Sequence, residues 1–490
     1  MLLDIPPRAG WDRVLITSVS EDSRRIEPGG LFIAVSGTSQ DGMDFLPDAL
    51  ERGAVAVVCE RPQELRVPCA VVSDARRALA VLAAGFYDEP TQEIHTIGVT
   101  GTNGKTTVCH WVSHLLGSND VALVTTVTNA ESGLRELTGL TTPSSPIVQR
   151  IAREVVESGK RSLVIEASSI GLEQLRLDAV AFDVAAFTNL THDHLDLHGN
   201  LERYLDAKAR LFRRLGPEGW AVVNADDSRA GDILKGTRGR VLRVGTHEPA
   251  DLAATGVEPK GDGVRFRLAY ADEVAEVCLP VAGLHNVQNA LLAVGIALVS
   301  GMTLAAIAGL LPSLPAVPGR QTRFRDDRGV TAIVDFAHNP EALRRMLEIV
   351  RTPYGRVAAV FGCPGGSDRA KRPQMGEISG RLADLTVLTS DNPKQEAPQT
   401  IAGEIAAGVR RVGGHFEVHL DRASAVRWAV EWANPGDVVL VAGKGHERVQ
   451  IVGDALVPYS DAEVLAGLGF TAGRQPRGPN DSKERLKDTR

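Results

Sequence analysis

The sequence lacks long hydrophobic runs. No uncharged apolar stretch reaches about 18 residues, which is the length that a membrane-spanning helix needs. The amino end, Met-Leu-Leu-Asp-Ile-Pro-Pro-Arg, has neither the basic start nor the apolar core of a secretory signal. We therefore expect a cytoplasmic protein without a membrane partner.

An excess of positive charge is also missing. Lysine and arginine number 54 against 61 aspartates and glutamates, the net charge is −7, and the basic residues are scattered along the chain. This distribution argues against binding to nucleic acid or to an anionic membrane surface. Small molecules are the expected partners, and any phosphate group must be held by local contacts.

Cysteine is scarce. The chain has five, Cys59, Cys69, Cys109, Cys278 and Cys363, and their spacing matches no common metal site. An odd number of distant cysteines does not indicate a disulfide framework, and we interpret them as free thiols in a reducing compartment.

The chain is too long for a single compact core. Its 490 residues correspond to about three domains of usual size. Short strand-like runs alternate with helical patterns such as 108–116, 146–157 and 201–215, and this alternation predicts an α/β fold with largely parallel sheets. We place the domains at 1–90, 91–318 and 319–471, with a proline-rich joint at 312–320 and a disordered tail at 472–490.

A glycine-rich segment follows a strand-like run and precedes a helical one. It reads Gly98-Val-Thr-Gly101-Thr-Asn-Gly104-Lys105-Thr106-Thr107. Backbone amides of such a loop surround phosphate oxygens, the lysine adds a positive charge, and the following hydroxyl can bind magnesium. The general pattern would need a glycine at Val99, so the match uses the shorter Gly-x-x-Gly-Lys-Thr form. A chance glycine-rich turn is the alternative, but the strand–loop–helix setting favours a nucleoside triphosphate site.

Polar residues follow the next strand-like runs. Glu166 ends one run, where a carboxylate can complete a magnesium shell with Thr106. After another come His192, His194 and His198, a density that would also suit zinc, although the helical His-Glu-x-x-His pattern is missing. We favour a magnesium or phosphate contact for His194, with some of the other histidines only capping the loop.

Lys208 follows on a predicted helix. A lone lysine on a helix is usually solvated, so residue type and position alone leave its role open.

Together these motifs resemble the Mur ligase family, and most closely its MurE branch, over nearly the whole chain. Members of that branch use ATP to add the third amino acid of the peptidoglycan stem peptide to UDP-N-acetylmuramoyl-L-alanyl-D-glutamate. The resemblance implies an N-terminal α/β domain for the uridine nucleotide, a central ATPase domain and a Rossmann-like C-terminal domain for the amino acid. It also implies ATP, two magnesium ions, a carbamate on Lys208 and a monomer.

The matching positions carry the implied roles. Catalysis falls to Lys105, Glu166, His194 and Lys208, and magnesium binding to Thr106, Glu166, His194 and carbamylated Lys208. ATP binding is implied for Gly101, Thr102, Asn103, Gly104, Lys105, Thr106, Thr107, Asn289, Arg320, Asp335 and His338. The uridine-nucleotide substrate is implied to contact Ser23, Thr38, Ser39, Gln40, Thr141, Thr142, Ser168, Gln174 and Arg176. The amino acid is implied to contact Arg369, Asp391, Asn392, Lys394, Gly443 and Glu447.

Three positions depart from the diaminopimelate-adding pattern. Lys394 and Ser367 each stand where those members have an arginine, and Ile170 replaces a histidine. Lysine cannot form arginine's two-pronged contact with a carboxylate. The resemblance, with Glu447 placed to suit a distal amine, therefore implies a basic diamino acid as acceptor, either L-lysine or L-ornithine in place of meso-diaminopimelate or meso-diaminopimelate itself.

Two other functions stay open at this point. One is a paralogue in the same superfamily that joins a different amino acid or acceptor, as folylpolyglutamate and cyanophycin-type ligases do. The other is a nucleotide-binding protein without ligase activity, although Lys105, Glu166, His194 and Lys208 are all present.

Overall fold

A computed structural model describes residues 11–37, 40–127, 140–193, 195–247 and 249–472. Within these residues the strands form sheets of four, nine and seven strands, together with a two-stranded hairpin. None of the helices in these ranges combines the length and the hydropathy needed to cross a bilayer.

The first sheet is small and parallel. Its strands lie in the order β1-β2-β3-β4. They are β1 (Ser18–Ser20), β2 (Gly30–Ile33), β3 (Ala54–Cys59) and β4 (Cys69–Val71), accompanied by helices α1 (Leu46–Glu51) and α2 (Ala75–Phe86). Short 3-10 helices span Trp11–Arg13, Ser23–Arg25, Gly42–Phe45 and Pro90–Gln92. Cys59 and Cys69 meet on neighbouring strands with their sulfurs 3.3 Å apart, as free thiols.

The nine-stranded sheet carries the glycine-rich loop. Its order is β13-β12-β11-β10-β9-β8-β5-β7-β6, parallel from β6 to β11 and antiparallel at β12 and β13. The strands are β5 (His95–Thr100), β6 (Val121–Val124), β7 (Ser162–Glu166), β8 (Val184–Phe187), β9 (Trp220–Asn224), β10 (Arg240–Gly245), β11 (Leu252–Lys260), β12 (Gly263–Tyr270) and β13 (Glu273–Leu279).

Helices cover both faces of this sheet. They are α3 (Lys105–Leu116), α4 (Ser145–Glu157), α5 (Ser169–Glu173), α6 (Leu195–His198), α7 (Leu201–Arg213), α8 (Ala230–Ile233), α9 (Leu284–Val299) and α10 (Leu304–Leu310), with a 3-10 helix at Leu311–Ser313. One apolar cluster joins α3 and α9 to the sheet, and a second joins α4 and α7 to it. The inner strands β7 and β8 are buried along their whole length, as parallel strands covered on both faces are.

The third sheet is mixed. Its order is β18-β17-β16-β19-β15-β14-β22, with β14 antiparallel to both of its neighbours, β15 and the edge strand β22. The strands are β14 (Thr322–Arg325), β15 (Thr331–Asp335), β16 (Val357–Phe361), β17 (Leu385–Leu388), β18 (Phe416–Val418), β19 (Val438–Ala442) and β22 (Thr471–Ala472), and β20 (Val449–Val452) pairs with β21 (Ala455–Pro458). The helices are α11 (Pro340–Arg351), α12 (Lys371–Leu382), α13 (Pro398–Arg411), α14 (Arg422–Trp432) and α15 (Asp461–Gly467).

The predicted α/β fold with mainly parallel sheets is confirmed, and two details differ from the prediction. Helix α3 begins at Lys105 instead of Val108, because the left-handed Gly104 ends the loop directly before it. The antiparallel extension β11–β13 was not predicted. Of the predicted disordered tail, residues 473–490 lie outside the described residues.

Candidate active site

The glycine-rich loop connects β5 to α3. Gly101 and Gly104 have φ angles of 141° and 90°, in the region that favours glycine. A Cβ on Gly101 would lie 1.8 Å from the Thr188 hydroxyl oxygen, and a Cβ on Gly104 would lie 2.3 Å from Asn289 Oδ1. Both positions therefore require glycine. Helix α3 starts immediately afterwards, so its positive N-terminal end lies at the loop.

An ammonium, a hydroxyl and a carboxylate meet beside this loop. Lys105 Nζ donates to the carbonyls of Gly101 at 3.1 Å and Thr102 at 2.9 Å, and it lies 3.9 Å from Glu166 Oε1. Glu166 is the last residue of β7 and is buried, and its Oε2 accepts a 2.9 Å hydrogen bond from the Thr106 hydroxyl. These groups are arranged as a phosphate and magnesium site requires.

Lys208 lies inside this site and is only 1% exposed. Its Nζ donates to the Gly101 carbonyl at 2.7 Å and lies 4.1 Å from the centre of the Tyr204 ring. Burial, with the Lys105 ammonium nearby, lowers the pKa of Lys208 well below its usual range. Lys208 is therefore not solvated as a lone lysine on a helix usually is, and its role as a carbamate stays a prediction.

Residues after β8 brace the glycine-rich loop. The Thr102 amide donates to the Asn189 carbonyl at 2.8 Å, and the Asn103 amide donates to Asn189 Oδ1 at 3.0 Å. The Thr188 hydroxyl donates to the Asn103 carbonyl at 2.6 Å. His194, a predicted catalytic residue, lies outside the described residues.

The C-terminal domain closes over the loop. Arg320, at the proline-rich joint, donates from Nη2 to the Thr106 hydroxyl at 3.2 Å and lies over the Phe336 ring at 4.5 Å. Asn339 Nδ2 donates to Asn103 Oδ1 at 3.0 Å. A cleft of about 410 Å³ results, lined by both domains.

The other predicted nucleotide residues also meet at this cleft. Asp335 accepts from the Gln321 amide at 2.8 Å and from the Ala337 amide at 2.9 Å, and burial raises its pKa. His338 Nε2 lies 3.6 Å from Asp193 Oδ2. All the predicted ATP residues line the cleft except Gly101, which adjoins Thr102 in the loop.

The donors near the loop fit magnesium better than zinc. Glu166 and Thr106 offer oxygen atoms, the ligands that magnesium prefers alongside substrate phosphates and water. His192 and His198 have separate partners, Asp368 at 2.9 Å and Ser169 at 3.0 Å. Among the residues that the structure describes, no group of three or more His, Cys, Asp or Glu side chains could hold a metal ion.

Residues predicted to hold the muramyl peptide lie next to Glu166. The Thr142 hydroxyl donates to the Glu166 carbonyl at 2.7 Å and lies 3.0 Å from Ser168 Oγ. Arg176 donates to the Thr142 carbonyl at 2.7 Å and to Gln174 Oε1 at 2.5 Å. Their contact with substrate stays a prediction.

The remaining residues of that set are more distant or undescribed. Thr141 Oγ1 accepts from Thr126 at 3.2 Å and lines the cleft. Ser23 is buried and Gln40 exposed beside the first sheet, whereas Thr38 and Ser39 lie outside the described residues.

The predicted amino-acid residues Asp391, Asn392, Gly443 and Glu447 meet at the ends of β17 and β19. A Cβ on Gly443 would lie 2.7 Å from Asp391 Oδ2, and burial raises the pKa of Asp391. Glu447 Oε2 accepts from Asn392 Nδ2 at 3.0 Å and from Lys444 Nζ at 2.6 Å. Lys444 itself is fully buried.

The arginines of the neighbouring segment face protein carboxylates. Arg369 pairs with Glu404, and Arg372 pairs with Glu396 at 2.7 Å and Glu404 at 2.8 Å. Lys394 is exposed, and its side chain makes no hydrogen bond or ion pair with any described residue. The contacts that Arg369 and Lys394 make with the amino acid remain predictions.

Three residues of the site had no role assigned from the sequence. Asn339 directly follows the predicted residue His338, and Lys444 directly follows Gly443, so neighbouring residues in the sequence pointed to both. Tyr204, whose hydroxyl lies 3.2 Å from Thr102 Oγ1, had no sequence signal beyond its spacing from Lys208 on one helix.

Three family profiles match the chain. The Mur ligase family catalytic domain matches residues 15–87, the Mur ligase middle domain residues 99–297, and the Mur ligase glutamate ligase domain residues 319–445.

Full-length relatives give the same result. The chain is 41% identical over 460 residues to the UDP-N-acetylmuramoyl-L-alanyl-D-glutamate–2,6-diaminopimelate ligase of Geobacillus thermodenitrificans, covering 92% of this chain and 94% of the relative. It is 40% identical over 472 residues to the enzyme of the same name from Synechococcus elongatus, covering 94% of each chain.

Solved structures share the fold. A UDP-N-acetylmuramoyl-L-alanyl-D-glutamate–2,6-diaminopimelate ligase superposes with a TM-score of 0.66 at 32% identity, over 94% of this chain and 96% of that one. The MurF ligase of Thermotoga maritima in complex with ADP, at 21% identity and a TM-score of 0.62, covers 88% and 94% of the two chains and shows the fold alone. The three-domain α/β architecture and the assignment as a ligase are confirmed, and the chain belongs to the Mur ligase family.

Proposed function

We propose that the protein uses ATP to join a basic diamino acid to UDP-N-acetylmuramoyl-L-alanyl-D-glutamate. This reaction adds the third amino acid of the peptidoglycan stem peptide. The observation that carries the proposal is the meeting of Lys105, Thr106, Glu166 and buried Lys208 at one glycine-rich loop. The names of the full-length relatives support this substrate.

The first step is phosphoryl transfer to the substrate carboxylate. That carboxylate attacks the γ-phosphorus of ATP, ADP leaves, and an acyl phosphate forms. Lys105 and the loop amides spread the charge that builds on the transferring group, which lowers the barrier. Arg320, which already contacts the Thr106 hydroxyl, adds a second fixed positive charge from the other domain.

Lys208 supports this step as a carbamate. An uncharged amine reacts with carbon dioxide, and the lowered pKa of Lys208 increases the fraction of the amine that is uncharged. The modification replaces a cation by an anion beside the loop. Thr106, Glu166 and that carbamate would then hold the magnesium ions, which screen the phosphate charge when bound.

The second step is amide formation. The amine of the amino acid attacks the acyl phosphate, and phosphate leaves from the tetrahedral intermediate. Water would destroy the acyl phosphate, so the cleft must be closed. Contacts of Arg320 with Thr106 and of Asn339 with Asn103 hold the two domains together over it.

The C-terminal domain binds the acceptor amino acid. Glu447 suits the distal amine of a diamino acid through its second carboxylate oxygen, because the contacts with Lys444 and Asn392 both use Oε2. Arg369 and Arg372 are occupied by protein carboxylates, whereas Lys394 is exposed and its side chain pairs with no described residue, so it can contact an acceptor carboxylate. This arrangement favours L-lysine or L-ornithine, with one carboxylate, whereas the relatives' names favour meso-diaminopimelate. A paralogue with another acceptor is the second candidate function.

The proposal also covers the roles of the three domains, the compartment and the oligomeric state. Residues 1–90, 91–318 and 319–471 act as the uridine-nucleotide, ATP and amino-acid domains of a cytoplasmic monomer. Support comes from the family profiles, which match within each of these three ranges.

One assay tests the function and the acceptor together. Phosphate release is measured with ATP, magnesium, the muramyl dipeptide nucleotide, and L-lysine, L-ornithine or meso-diaminopimelate in separate reactions. We expect release with one of the three amino acids and none without the dipeptide nucleotide. No release with any of them refutes the proposal in favour of a different acceptor.

A further inference from the structure

Gln321 has an unusual backbone conformation at the edge of the nucleotide cleft. Its φ is 48°, in the left-handed region that a glutamine rarely adopts. The backbone is held there by the Asp335 carboxylate, which accepts from the Gln321 amide at 2.8 Å. Strain of this kind is retained where it positions a functional side chain.

The Gln321 side chain is fixed by two acceptors. Its Nε2 donates to His285 Nε2 at 3.2 Å and to the Ala282 carbonyl at 3.4 Å. Both amide hydrogens are therefore used by the protein. The Oε1 carbonyl makes no hydrogen bond with any residue in the described ranges, and Gln321 and His285 both line the cleft.

His285 suits the acceptor role. The surrounding protein displaces water from the ring, and together with the nearby Arg345 this lowers the pKa of His285 to about 4. At neutral pH the ring is uncharged, so one of its nitrogens is available to accept. The His285 contact thereby sets which end of the Gln321 amide faces the ligand.

We propose that Gln321 is a specificity-determining residue for the nucleotide base. Its free carbonyl oxygen accepts a hydrogen bond from the 6-amino group of adenine and disfavours the 6-oxo group of guanine. The inference rests on the proposed use of ATP, because the glycine-rich loop lines the same cleft as Gln321 and His285. Two acceptor oxygens facing each other would leave both unpaired, which is how such a site rejects the wrong base.

Two variants distinguish recognition of the nucleotide base by Gln321 from a purely structural role of this residue. Gln321→Met keeps the length of the side chain but removes its polar atoms. Gln321→Gly removes the side chain and also relieves the left-handed backbone, so its melting temperature should not fall. Gln288→Met is the matched control, because Gln288 is a half-buried glutamine on the same helix as His285 but contacts Asp226.

Binding of the non-hydrolysable analogues AMPPNP and GMPPNP with magnesium is measured by calorimetry on the full chain. We expect the wild type and Gln288→Met to prefer AMPPNP. In Gln321→Met and Gln321→Gly the AMPPNP/GMPPNP affinity ratio should fall about tenfold, because AMPPNP loses a hydrogen bond and GMPPNP no longer faces an opposing acceptor oxygen.

An unchanged ratio in both Gln321 variants, or equal binding of the two analogues by the wild type, overturns the inference. Binding of neither analogue by a folded wild type instead contradicts the proposed function, so the two failures are distinguishable.

Discussion

His192 of the central domain and Asp368 of the C-terminal domain share a 2.9 Å hydrogen bond between Nε2 and Oδ2. His192 stands in the loop after β8, just beyond the bracing residues Thr188 and Asn189, and Asp368 directly precedes Arg369 of the predicted amino-acid site. The bond therefore links the ATP end of the cleft to the acceptor end across the domain boundary.

This bond should stabilise the closed arrangement. His192→Ala or Asp368→Ala should each raise KM for the amino acid about three- to tenfold, because closure must then occur without it. The KM of the double variant should be no higher than that of the more impaired single variant. The coupling energy between the two residues, from kcat/KM, should be about 1 kcal/mol. Asp454→Ala, which removes a surface contact with Gln395, is the control and should leave KM unchanged. Additive effects would show that the bond does not act in closure.

Lys208 gives the most decisive test of the chemistry. Lys208→Ala should reduce kcat by at least about a thousandfold, because it removes the proposed anion beside the loop while leaving nucleotide contacts in place. Acetate or formate should restore part of the activity by occupying the vacated space. Lys208→Arg should be equally inactive and insensitive to acetate, since its side chain fills the space and stays cationic. Full turnover by Lys208→Ala would contradict the carbamate.

The sequence was sufficient for the fold class and for the end of the sheet at which the site lies. Gly101, Gly104 and Lys105 follow a strand and lead into a helix. Their spacing along the chain is therefore enough to predict the shape of the loop. The contact of His192 with Asp368 could not be predicted, because it joins residues 176 positions apart through the packing of two domains.

The acceptor region shows the same limit. The family resemblance alone assigns Arg369 to the amino acid. Its pairing with Glu404 depends on the packing of α13 against α12, which residue spacing does not report. The strands β11–β13 were missed for a simpler reason. Polar and apolar residues alternate in them, whereas the inner strands of the same sheet are continuous apolar runs, the pattern by which strands were recognised.

Glu396 should contribute to stability only above acidic pH. Its hydrogen bonds with the Arg372 guanidinium lower its pKa from an ordinary 4.5 to about 2. The unfolded chain therefore takes up the proton first, so the stabilisation is complete above about pH 4.5 and is lost as the pH falls towards 2. Glu396→Gln should flatten the decline of the unfolding free energy between pH 5 and 3.

The free energy of unfolding at a series of pH values, from urea titrations, measures that decline. Arg369→Gln leaves the pair between Glu396 and Arg372 in place and should keep most of the slope. Equal slopes for the wild type and Glu396→Gln would contradict the assignment.

The pair of Arg422 and Asp461 should be a strong determinant of C-terminal domain stability. Both side chains are fully buried, with Nε–Oδ1 and Nη2–Oδ2 distances of 2.8 Å and 2.9 Å. Asp461→Ala leaves a guanidinium buried without its carboxylate and should cost about 3–5 kcal/mol of unfolding free energy. Replacing both residues, as Arg422→Met with Asp461→Leu, should cost less than Asp461→Ala alone, because no uncompensated charge remains.

Urea denaturation followed by circular dichroism measures these differences. The exposed pair of Arg240 and Glu218 is the control, and Glu218→Ala should change the unfolding free energy by less than about 1 kcal/mol. A cost for Asp461→Ala as small as that of the surface control would show that water reaches the guanidinium, and that the pair is not as buried as its 0% exposure indicates.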